Sequence, residues 1–291
     1  MSGASRTRVA RLVAHASLVA GALLMLLPLA WMACVSLLPA DRAQAATVSG
    51  RLLDLVPWPP EWHNYPDALA QVGTKRWNGF LDAFANSIVV TTLVVFATIA
   101  SSSLVGFAFA RTRFRGRGPL FLVMLATMML PGQVTLIPLF LLFRSLGWID
   151  TLLPLVVPAF FANAFFVFMY RQFIAQIPES LVEAAAIDGH GWLGIWWRIA
   201  LPLCRPVSAI CAVFTFVYVW NDFMAPLVYL HSDEQATLAV ALNSFRNQYG
   251  GINKVNLLMA ASLVTMLPCI LLFFAAQKQF IEGLGHGAVK G

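Results

Sequence analysis

The sequence predicts an all-α integral membrane protein with six transmembrane helices and both termini in the cytoplasm. Of its 291 residues, 59% are hydrophobic and only 11% are charged, and the mean hydropathy is +0.76. A soluble domain carries about 25% charged residues, so this chain has too little charge to cover a water-facing surface. The net charge of +6 does not indicate nucleic-acid binding, because the Lys and Arg residues lie between apolar runs and form no basic face.

Six apolar runs are long enough to cross a bilayer. A spanning helix needs about 20 mostly apolar residues, because the hydrocarbon layer is about 30 Å thick and each residue rises about 1.5 Å. The runs that meet this requirement are 12–38, 86–110, 119–143, 152–170, 206–229 and 257–276. We therefore expect residues 1–291 to form a single transmembrane domain.

The basic residues predict which side of the membrane each loop faces. Twelve of the 19 Lys and Arg residues lie before the first run, after the second, after the fourth or after the sixth. Cytoplasmic loops carry an excess of Lys and Arg, so both termini are expected inside, with 277–291 as a cytoplasmic tail and 39–85 as an outer loop. The first run and Ala43-Gln44-Ala45 also resemble a cleaved signal, but the run far exceeds the usual core of about 7–15 residues, which favours a retained helix.

The outer loop contains a segment rich in proline and aromatic residues, 57–66. Proline opposes regular helix, and Trp and Tyr suit the membrane interface. The segment is interpreted either as an anchored surface loop or as a contact surface for an external partner.

The segment 177–206 has the pattern of a short helix, a turn and a second amphipathic helix. Glu179 and Glu183 lie four residues apart on one helical face, and Ala184–Ala186 are small enough for another surface to approach closely. Gly189 permits the left-handed conformation that ends a helix. From the residues alone, this segment is either a docking element at the cytoplasmic face or an amphipathic interfacial hairpin.

The same segment resembles the EAA loop of binding-protein-dependent ABC importer permeases at every defined position and spacing. The matching residues are Glu183-Ala184-Ala185, Gly189, Ile199 and Leu201-Pro202. The segments 86–87, 109–111, 131–133, 220–223 and 287–291 also resemble the maltose-type and glycerol-phosphate-type sugar permeases. Within that family the chain is similar to the second of the two permease subunits.

The resemblance implies partners and a site. In the family, the EAA helices couple a separate ATPase dimer to the membrane helices, and an external binding protein delivers the solute to a pair of permeases in the bacterial inner membrane. Glu183 is then expected to pair with basic groups of the ATPase, Ala184 and Ala185 to permit close docking, and Gly189 to set the bend. The full set of expected coupling residues is Glu183, Ala184, Ala185, Asp188, Gly189, Ile199, Leu201 and Pro202.

No residue pattern indicates an enzyme. The sequence has no GxxxxGK[ST] phosphate-binding motif, so ATP and Mg²⁺ are expected on the partner ATPase and no cofactor on this chain. The five histidines are scattered and do not form the constellation that a membrane enzyme needs. The four cysteines form no CxxC pair and no metal-ligand spacing, and are interpreted as small packing residues.

Prolines interrupt several of the apolar runs, and polar residues accompany the breaks. Each proline removes a backbone N–H, and such breaks persist in membranes only where other groups or water satisfy the freed backbone. Gln133 follows Pro131, and Asn163 follows Pro158. The two polar side chains are interpreted either as packing groups or as residues that line a polar path.

Asp222 is the only acidic residue inside a predicted span. A charge there costs several kcal/mol unless it is paired or hydrated. Asp222 is therefore interpreted either as facing a water-accessible vestibule or the partner permease, or as a structural cap satisfied by Asn221 or Trp220. Gln133, Asn163, Asn221 and Asp222 are the candidate pathway residues.

The function implied by the resemblance is that of a permease subunit for a sugar or sugar-like solute. Glycerol phosphate or a polyol is the alternative within this class. An ion-coupled secondary transporter is the alternative from another class, although such proteins often show inverted repeats and paired membrane charges, and neither is evident here.

Overall fold

The computed structural model describes residues 3–71, 79–248 and 254–288, and all regular structure in these ranges is helical. The α-helices are α1 (Gly3–Ser36), α2 (Ala40–Ser49), α3 (Asn64–Gln71), α4 (Gly79–Arg111), α5 (Arg117–Thr127), α6 (Gly132–Ser145), α7 (Leu153–Val156), α8 (Ala164–Ala175), α9 (Glu179–Ile187), α10 (Trp192–Ile195), α11 (Leu201–Leu203), α12 (Arg205–Trp220), α13 (Met224–Tyr229), α14 (Leu238–Gln248) and α15 (Val255–Ala288). Short 3₁₀ turns occupy Leu52–Leu55, Val157–Phe161 and Asp233–Gln235, and a π-helix occupies Trp196–Ala200.

The described helices fit the predicted membrane class. Four stretches are long and apolar enough to cross a bilayer, namely Arg11–Ser36, Gly79–Arg111, Leu153–Ala175 and Val255–Gln277. Two bent helix pairs raise the number to as many as six, if each pair is one span. The all-α membrane fold is thereby confirmed, whereas the placement of the termini in the cytoplasm stays a prediction.

The third apolar run is not the continuous helix that 119–143 predicts. α5 ends at Thr127, α6 begins at Gly132, and the two are bent by 99°. Pro131 lies in this break, where it cannot donate the N–H that a continuous helix needs. Pro138, by contrast, is accommodated inside α6, so only one of the two prolines interrupts the run.

The fifth run also differs from the predicted 206–229. α12 and α13 are separated by residues 221–223, and a 79° bend lies between the helical run Trp192–Leu203 and α12. At its start, the second run extends beyond the predicted 86–110, because α4 begins seven residues earlier at Gly79. The additional turns include Asp82, where an acidic group is favourable near a helix N-terminus.

The described residues separate into two compact units. One comprises those within 1–75 and 242–266, and the other those within 76–241 and 267–291. In the first unit, the Asn64 side-chain amide donates to the carbonyls of Ser36 and Leu38 at 2.9 and 2.8 Å, and its oxygen accepts from Asn256 Nδ2 at 2.9 Å. Asn64 therefore holds the end of α1, the start of α3 and the start of α15 together.

The second unit is built around α4, which packs against α8 and α12. Gly106 makes the approach of α8 possible, because a Cβ atom there would lie 2.6 Å from Tyr170 Cβ and 3.1 Å from the Val167 carbonyl oxygen. Tyr170 is fully buried, and its hydroxyl donates to Ser208 Oγ on α12 at 2.8 Å. The three helices therefore meet at one tightly packed point.

The two ends of α4 are fastened to different loops. At one end, the Asn86 side-chain amide donates to the carbonyls of Glu234 and Ala236 at 2.9 and 3.1 Å. At the other end, Arg111 donates to the carbonyls of Ile174 and Ile177. A helix of 33 residues is about 50 Å long, which exceeds the hydrocarbon layer of about 30 Å. The loop near residue 235 and the segment that begins at 177 therefore lie at opposite ends of this candidate span.

Asp150 joins two loops of the second unit. Its Oδ1 accepts hydrogen bonds from the N–H groups of His231 and Ser232 and from Ser232 Oγ, at 2.9, 2.8 and 2.9 Å. Its own N–H donates to the Tyr229 carbonyl at 2.8 Å. These bonds hold the pKa of the Asp150 carboxyl below its usual 3.8, and the bond from the backbone N–H of Ser232 has the largest effect. The residue has a φ of +63°, a conformation that Asp and Asn tolerate better than other side chains.

Gly106→Ala is expected to destabilise the protein, because the new methyl group would overlap Tyr170 Cβ. Overpacking of this kind costs about 1–3 kcal/mol. The midpoint of thermal unfolding of the detergent-purified protein measures the effect. Gly21→Ala is the matched control, since a methyl group added there would meet no other atom within 4 Å and Ala is the better helix former. Equal midpoints for the two variants would contradict close packing at Gly106.

Asp150→Asn is expected to remove one pH-dependent part of the stability. A carboxyl whose pKa is lowered by folding contributes stability that is fully present above the unfolded pKa of 3.8 and is lost as the pH falls through the folded pKa. The thermal midpoint of the wild type should therefore fall more steeply below pH 3.8 than that of the variant. Asp41→Asn, at an exposed position on α2, serves as the control and should retain the steep dependence.

Candidate functional site

The segment 177–206 forms two short helical runs joined by a tight turn. α9 is the first run, and α10, the π-helix and α11 together form the second, from Trp192 to Leu203. The bend of 79° then leads into α12. The helix, turn and second helix expected from the sequence are therefore present, at the Arg111 end of α4.

The turn after α9 depends on a glycine at position 189. The N–H of Gly189 donates to the Ala186 carbonyl at 3.1 Å, and the N–H of His190 donates to the Ala185 carbonyl at 3.0 Å. This is the Schellman arrangement, in which the residue after the helix cap takes the left-handed conformation. Gly189 has a φ of +81°, which strains any residue with a Cβ atom. The bend therefore lies at the predicted residue.

The predicted coupling residues on α9 do not share one face. Glu183, Ala184 and Asp188 are exposed, whereas Ala185 is only 3% exposed and packs into the core of this unit. Successive residues of a helix point about 100° apart, so Glu183, Ala184 and Ala185 cannot all face outward. That Ala185 permits docking of a partner stays a prediction, because in this structure the residue does not face outward. Its small side chain instead lets α9 pack closely on its own chain.

Arg111 fastens the start of this segment to α4. Its Nη2 donates to the Ile174 carbonyl at 2.7 Å and also to the Ile177 carbonyl. The last carbonyls of a helix have no partner within the helix, and α8 ends at Ala175, so the guanidinium satisfies one of them. In the sequence Arg111 is a topology signal and part of the resembling segment 109–111, but nothing in the pattern shows which carbonyls it reaches.

A groove of about 330 Å³ lies between Arg111 and α9. The side chains that α9 contributes to it follow the helical repeat and are Glu179, Val182, Glu183 and Ala186. His190 closes the groove, and its Nε2 lies 3.0 Å from Nη1 of Arg198. Glu183 thus borders a recess while it stays exposed, so a basic side chain of another protein could reach its carboxylate.

The second helical run is held to the body of the unit. Ile199 packs against the buried cluster, Leu201 is partly buried and Pro202 is exposed. Pro202 has no N–H to donate to the turn before it, and the helix there widens into the π-helix Trp196–Ala200. Trp196 Nε1 donates to Ser103 Oγ on α4 at 3.2 Å. Ile199 and Trp196 therefore seat the second run on the body of this unit.

A second feature, a cavity of about 460 Å³, lies between α4, the broken span of α7 and α8, and the helices α12 and α13. The side chains that line it are mostly apolar or carry hydroxyl groups. They are Ser87, Val90, Thr91, Val94, Thr98, Leu155, Pro158, Ala159, Ala162, Asn163, Phe165, Phe166, Phe214, Thr215, Tyr218, Val219, Asp222, Pro226 and Thr237. This volume falls within the range of small-molecule sites.

One wall of the cavity is formed where the fourth span breaks. Ala162 has a φ of +64°, and α8 begins two residues later. Asn163 Oδ1 accepts from the N–H groups of Phe165 and Phe166 at 3.0 and 3.4 Å, and the Asn163 N–H donates to Ser102 Oγ at 3.0 Å. These bonds satisfy the backbone that the break frees.

Another wall is formed where the fifth span breaks, four residues before Pro226. Asp222 lines the cavity, and its Oδ1 accepts from the N–H of Ala225 in the first turn of α13 at 3.3 Å. Asp222 therefore both lines the cavity and caps α13, while its predicted exposure to a water-accessible vestibule or to the partner permease stays a prediction. The cap is made to Ala225, whereas the Asn221 side chain donates to the Val217 carbonyl at 2.7 Å.

The structure brings two of the four candidate pathway residues together. Asn163 and Asp222 line the cavity, but Asn221 and Gln133 do not. Gln133 is exposed in the first turn of α6.

The hydroxyl groups of the α4 wall, Ser87, Thr91 and Thr98, were not among the predicted pathway residues. Their signal was present in the sequence, because their spacing of four and seven residues places them on one face of an apolar helix. Three hydroxyls on one face of a spanning helix indicate a polar surface within the membrane.

In the part of the chain that the structure describes, no group of three His, Cys, Asp or Glu side chains could hold a metal ion. The polar groups of the cavity are hydroxyls, one amide and one carboxyl. Such groups can hydrogen bond a solute, but they do not form a nucleophile and base pair.

The chain has helices long enough to cross a membrane, a cavity among them and an exposed helical turn at one end of α4. These are the features expected of a solute permease. Residues 102–285 match the family described as the binding-protein-dependent transport system inner membrane component. The chain therefore belongs to this family of inner-membrane transport proteins.

Similar proteins cover most of the chain. The arabinooligosaccharides transport system permease protein AraQ of Halalkalibacterium halodurans is 37% identical over 72% of this chain and 74% of the relative. The sn-glycerol-3-phosphate transport system permease protein UgpE of Yersinia enterocolitica is 31% identical over 93% of this chain and 94% of the relative. A chain from the crystal structure of a bacterial ABC transporter that imports the acidic polysaccharide alginate is 25% identical, with a TM-score of 0.78 over 96% of this chain and 98% of that one.

Arg111→Lys is expected to loosen the segment 174–190, because an ammonium group cannot reproduce the planar fork of the guanidinium. A hydrogen bond from a charged donor contributes about 1.5–3 kcal/mol, so the loss of one should lower the thermal midpoint by a few degrees. Limited proteolysis with proteinase K, mapped by mass spectrometry, should show faster cleavage in 174–190. Arg113→Lys, at an exposed position in the same loop, is the control, and equal cleavage in the two variants would contradict the anchoring role of Arg111.

Proposed function

We propose that this chain forms, with a second homologous permease, the translocation pathway of a bacterial importer for a sugar or sugar-like solute. An external binding protein delivers the solute, and a dimer of separate ATPase subunits supplies the energy. The observation that carries this proposal is the likeness to permeases named for arabinooligosaccharides and sn-glycerol-3-phosphate, over 72% and 93% of the chain. In this proposal the chain is a non-catalytic transport subunit without a cofactor, and ATP and Mg²⁺ bind to the ATPase.

The proposed contact with the ATPase is the exposed side of α9. Glu183, Ala184 and Asp188 face outward there, while Ala185 anchors the helix from behind. Glu183 offers a carboxylate to basic groups of the ATPase, and Ala184 leaves room for a close approach. Gly189 sets the angle at which α9 is presented.

Movement of α9 has a direct route to the membrane helices. Ala185 and Ile195 share a buried cluster with Phe107 of α4 and Tyr170 of α8, and Arg111 ties α4 to the carbonyls just before α9. Packed cores shift between discrete arrangements and do not deform continuously. Closure of the ATPase dimer would therefore move α4 and α8 together, and both helices line the cavity. This is a physical basis for alternating access.

The proposed tail, 277–291, also faces the ATPase in this arrangement. α15 continues through this region as far as Ala288, and residues 289–291 lie outside the described residues. A helical tail reaches about 1.5 Å farther for each residue, so it extends the last span toward the cytoplasmic partner.

A glycerol phosphate solute is the second candidate within this class, because the glycerol-phosphate relative covers 93% of the chain. Membership of a binding-protein-dependent family speaks against the ion-coupled secondary transporter. Reconstitution with the partner subunits and the binding protein in proteoliposomes separates the classes. Uptake should require ATP and survive an uncoupler, and uptake that an ion gradient alone drives would contradict the proposal. Ligand screening of the binding protein by thermal shift then identifies the solute.

Glu183→Gln is expected to reduce ATP-dependent uptake at least tenfold, because the ATPase loses a charged partner at the moving interface. Removal of one partner from a charge pair that a complex buries costs about 2–5 kcal/mol. Uptake and ATP hydrolysis are measured on the same proteoliposomes, and assembly is checked by copurification of the ATPase. Glu234→Gln is the control, since this carboxylate is exposed and lies at the opposite end of α4. Wild-type uptake by the Glu183 variant would rule out this contact.

A further inference from the structure

Two buried hydroxyl groups in the wall of the cavity have no hydrogen-bond partner. Thr91 is 1% exposed and Thr237 is 6% exposed, and the Oγ1 atom of each is unpaired among the described residues. Both residues line the cavity. An unsatisfied buried polar group costs free energy, and a hydrogen bond to a bound solute would remove this cost at both positions.

The two hydroxyls lie in the same part of the wall. The N–H of Leu238 donates to Ser87 Oγ at 2.8 Å, which places the neighbouring Thr237 against α4. Thr91 follows Ser87 by one helical turn on the same face. Both Oγ1 atoms are covered in this structure, so a solute in the cavity reaches them after a small rearrangement of this wall.

The other groups of the cavity complete a surface that suits a polyhydroxylated molecule. Asp222 adds a carboxyl group, which accepts hydrogen bonds from hydroxyls, and Tyr218 adds a phenol whose side chain is 76% exposed. Aromatic faces, among them Phe165, stand beside these polar groups. Small-molecule sites typically combine an apolar wall with a few polar groups that set orientation.

The charge of the cavity indicates a neutral solute. None of its described lining residues is Lys, Arg or His, and Asp222 is the one acidic residue among them. Arg111, on the same helix as Thr91, lies 20 residues farther along, which is about 30 Å, and it is engaged with backbone carbonyls. A phosphate or uronate group would therefore meet a carboxyl group and find no cation to pair with.

We propose that this cavity is a binding subsite for a neutral, polyhydroxylated solute. In this subsite the unpaired hydroxyl groups of Thr91 and Thr237 form hydrogen bonds with the solute. The subsite rests on the proposed function as a solute permease. It narrows the range of solutes, because the subsite disfavours phosphorylated and acidic sugars. On this point the chain differs from the permeases named for glycerol phosphate and from the alginate importer.

The test uses the complete importer in proteoliposomes, with initial rates of uptake measured for matched neutral and acidic probes. The neutral probes are arabinotriose, raffinose and galactobiose, and the acidic probes are glycerol 3-phosphate and digalacturonate. The variant is Thr91→Val combined with Thr237→Val, which removes both hydroxyls at nearly constant volume. Thr265→Val is the control. The Thr265 hydroxyl donates a hydrogen bond to the Ala261 carbonyl at 2.8 Å, and Thr265 does not line the cavity.

The wild type is expected to import at least one neutral probe and neither acidic one. The double variant should import that probe roughly thirtyfold more slowly than the control, as the loss of two ordinary hydrogen bonds predicts. Its thermal midpoint should be unchanged or higher, because the deleted hydroxyls have no partner among the residues that the structure describes. A purely structural role would lower the midpoint and the uptake together, and this result would overturn the subsite.

Two further outcomes separate this proposal from the proposed function. Comparable import of an acidic probe, or equal rates for the double variant and the control, would overturn the subsite and leave the permease function standing. Absence of ATP-dependent uptake of every probe by the wild type would count against the carbohydrate function and the subsite together.

Discussion

The close approach of α4 and α8 at Gly106 is the contact on which the rest of the second unit depends. Lipid provides no hydrophobic force that draws spanning helices together, so small residues and interhelical hydrogen bonds must hold them. Gly106 brings the two backbones close, and Tyr170, buried at the same point, reaches Ser208 on α12. The cavity on one side of this point and the seat of α9 on the other are therefore built on the same three helices.

Broken helices create the cavity, and local hydrogen bonds make the breaks tolerable. Asn163 and Ser102 satisfy the backbone at the break before α8, and Asp222 satisfies the start of α13. Each break thus places a polar side chain in the membrane interior for a structural reason, and the same side chain then faces the cavity. Helix capping and a place in the cavity wall are not alternatives at these positions, because a polar group that caps a helix end beside a cavity has both.

The sequence predicts the membrane class and the helix–turn–helix at 177–206 because both depend on local patterns, namely the length of the apolar runs and the spacing from Glu183 to Pro202. It does not predict the burial of Ala185 or the carbonyls that Arg111 binds, because these depend on contacts between distant segments. Pro131 and Pro138 show the same limit, since both are prolines within one apolar run and only the first interrupts it. The hydroxyl groups of the cavity were visible as a periodic pattern, but Thr237 joins them only through the fold.

Attachment of α4 at both ends makes this helix a route for two-way thermodynamic linkage across the membrane. Asn86 ties one end to the loop at 234–236, and Arg111 ties the other to the carbonyls that precede α9. Suppose that a protein bound at one end favours one position of α4 and so changes, by some factor, the affinity of the other end for its own partner. Binding of that partner must then change the affinity of the first end for the first protein by the same factor. In the proposed importer, the docking of a loaded binding protein at one end of α4 and the engagement of nucleotide at the other would then be reciprocal events, and neither end would have a privileged place in starting the cycle.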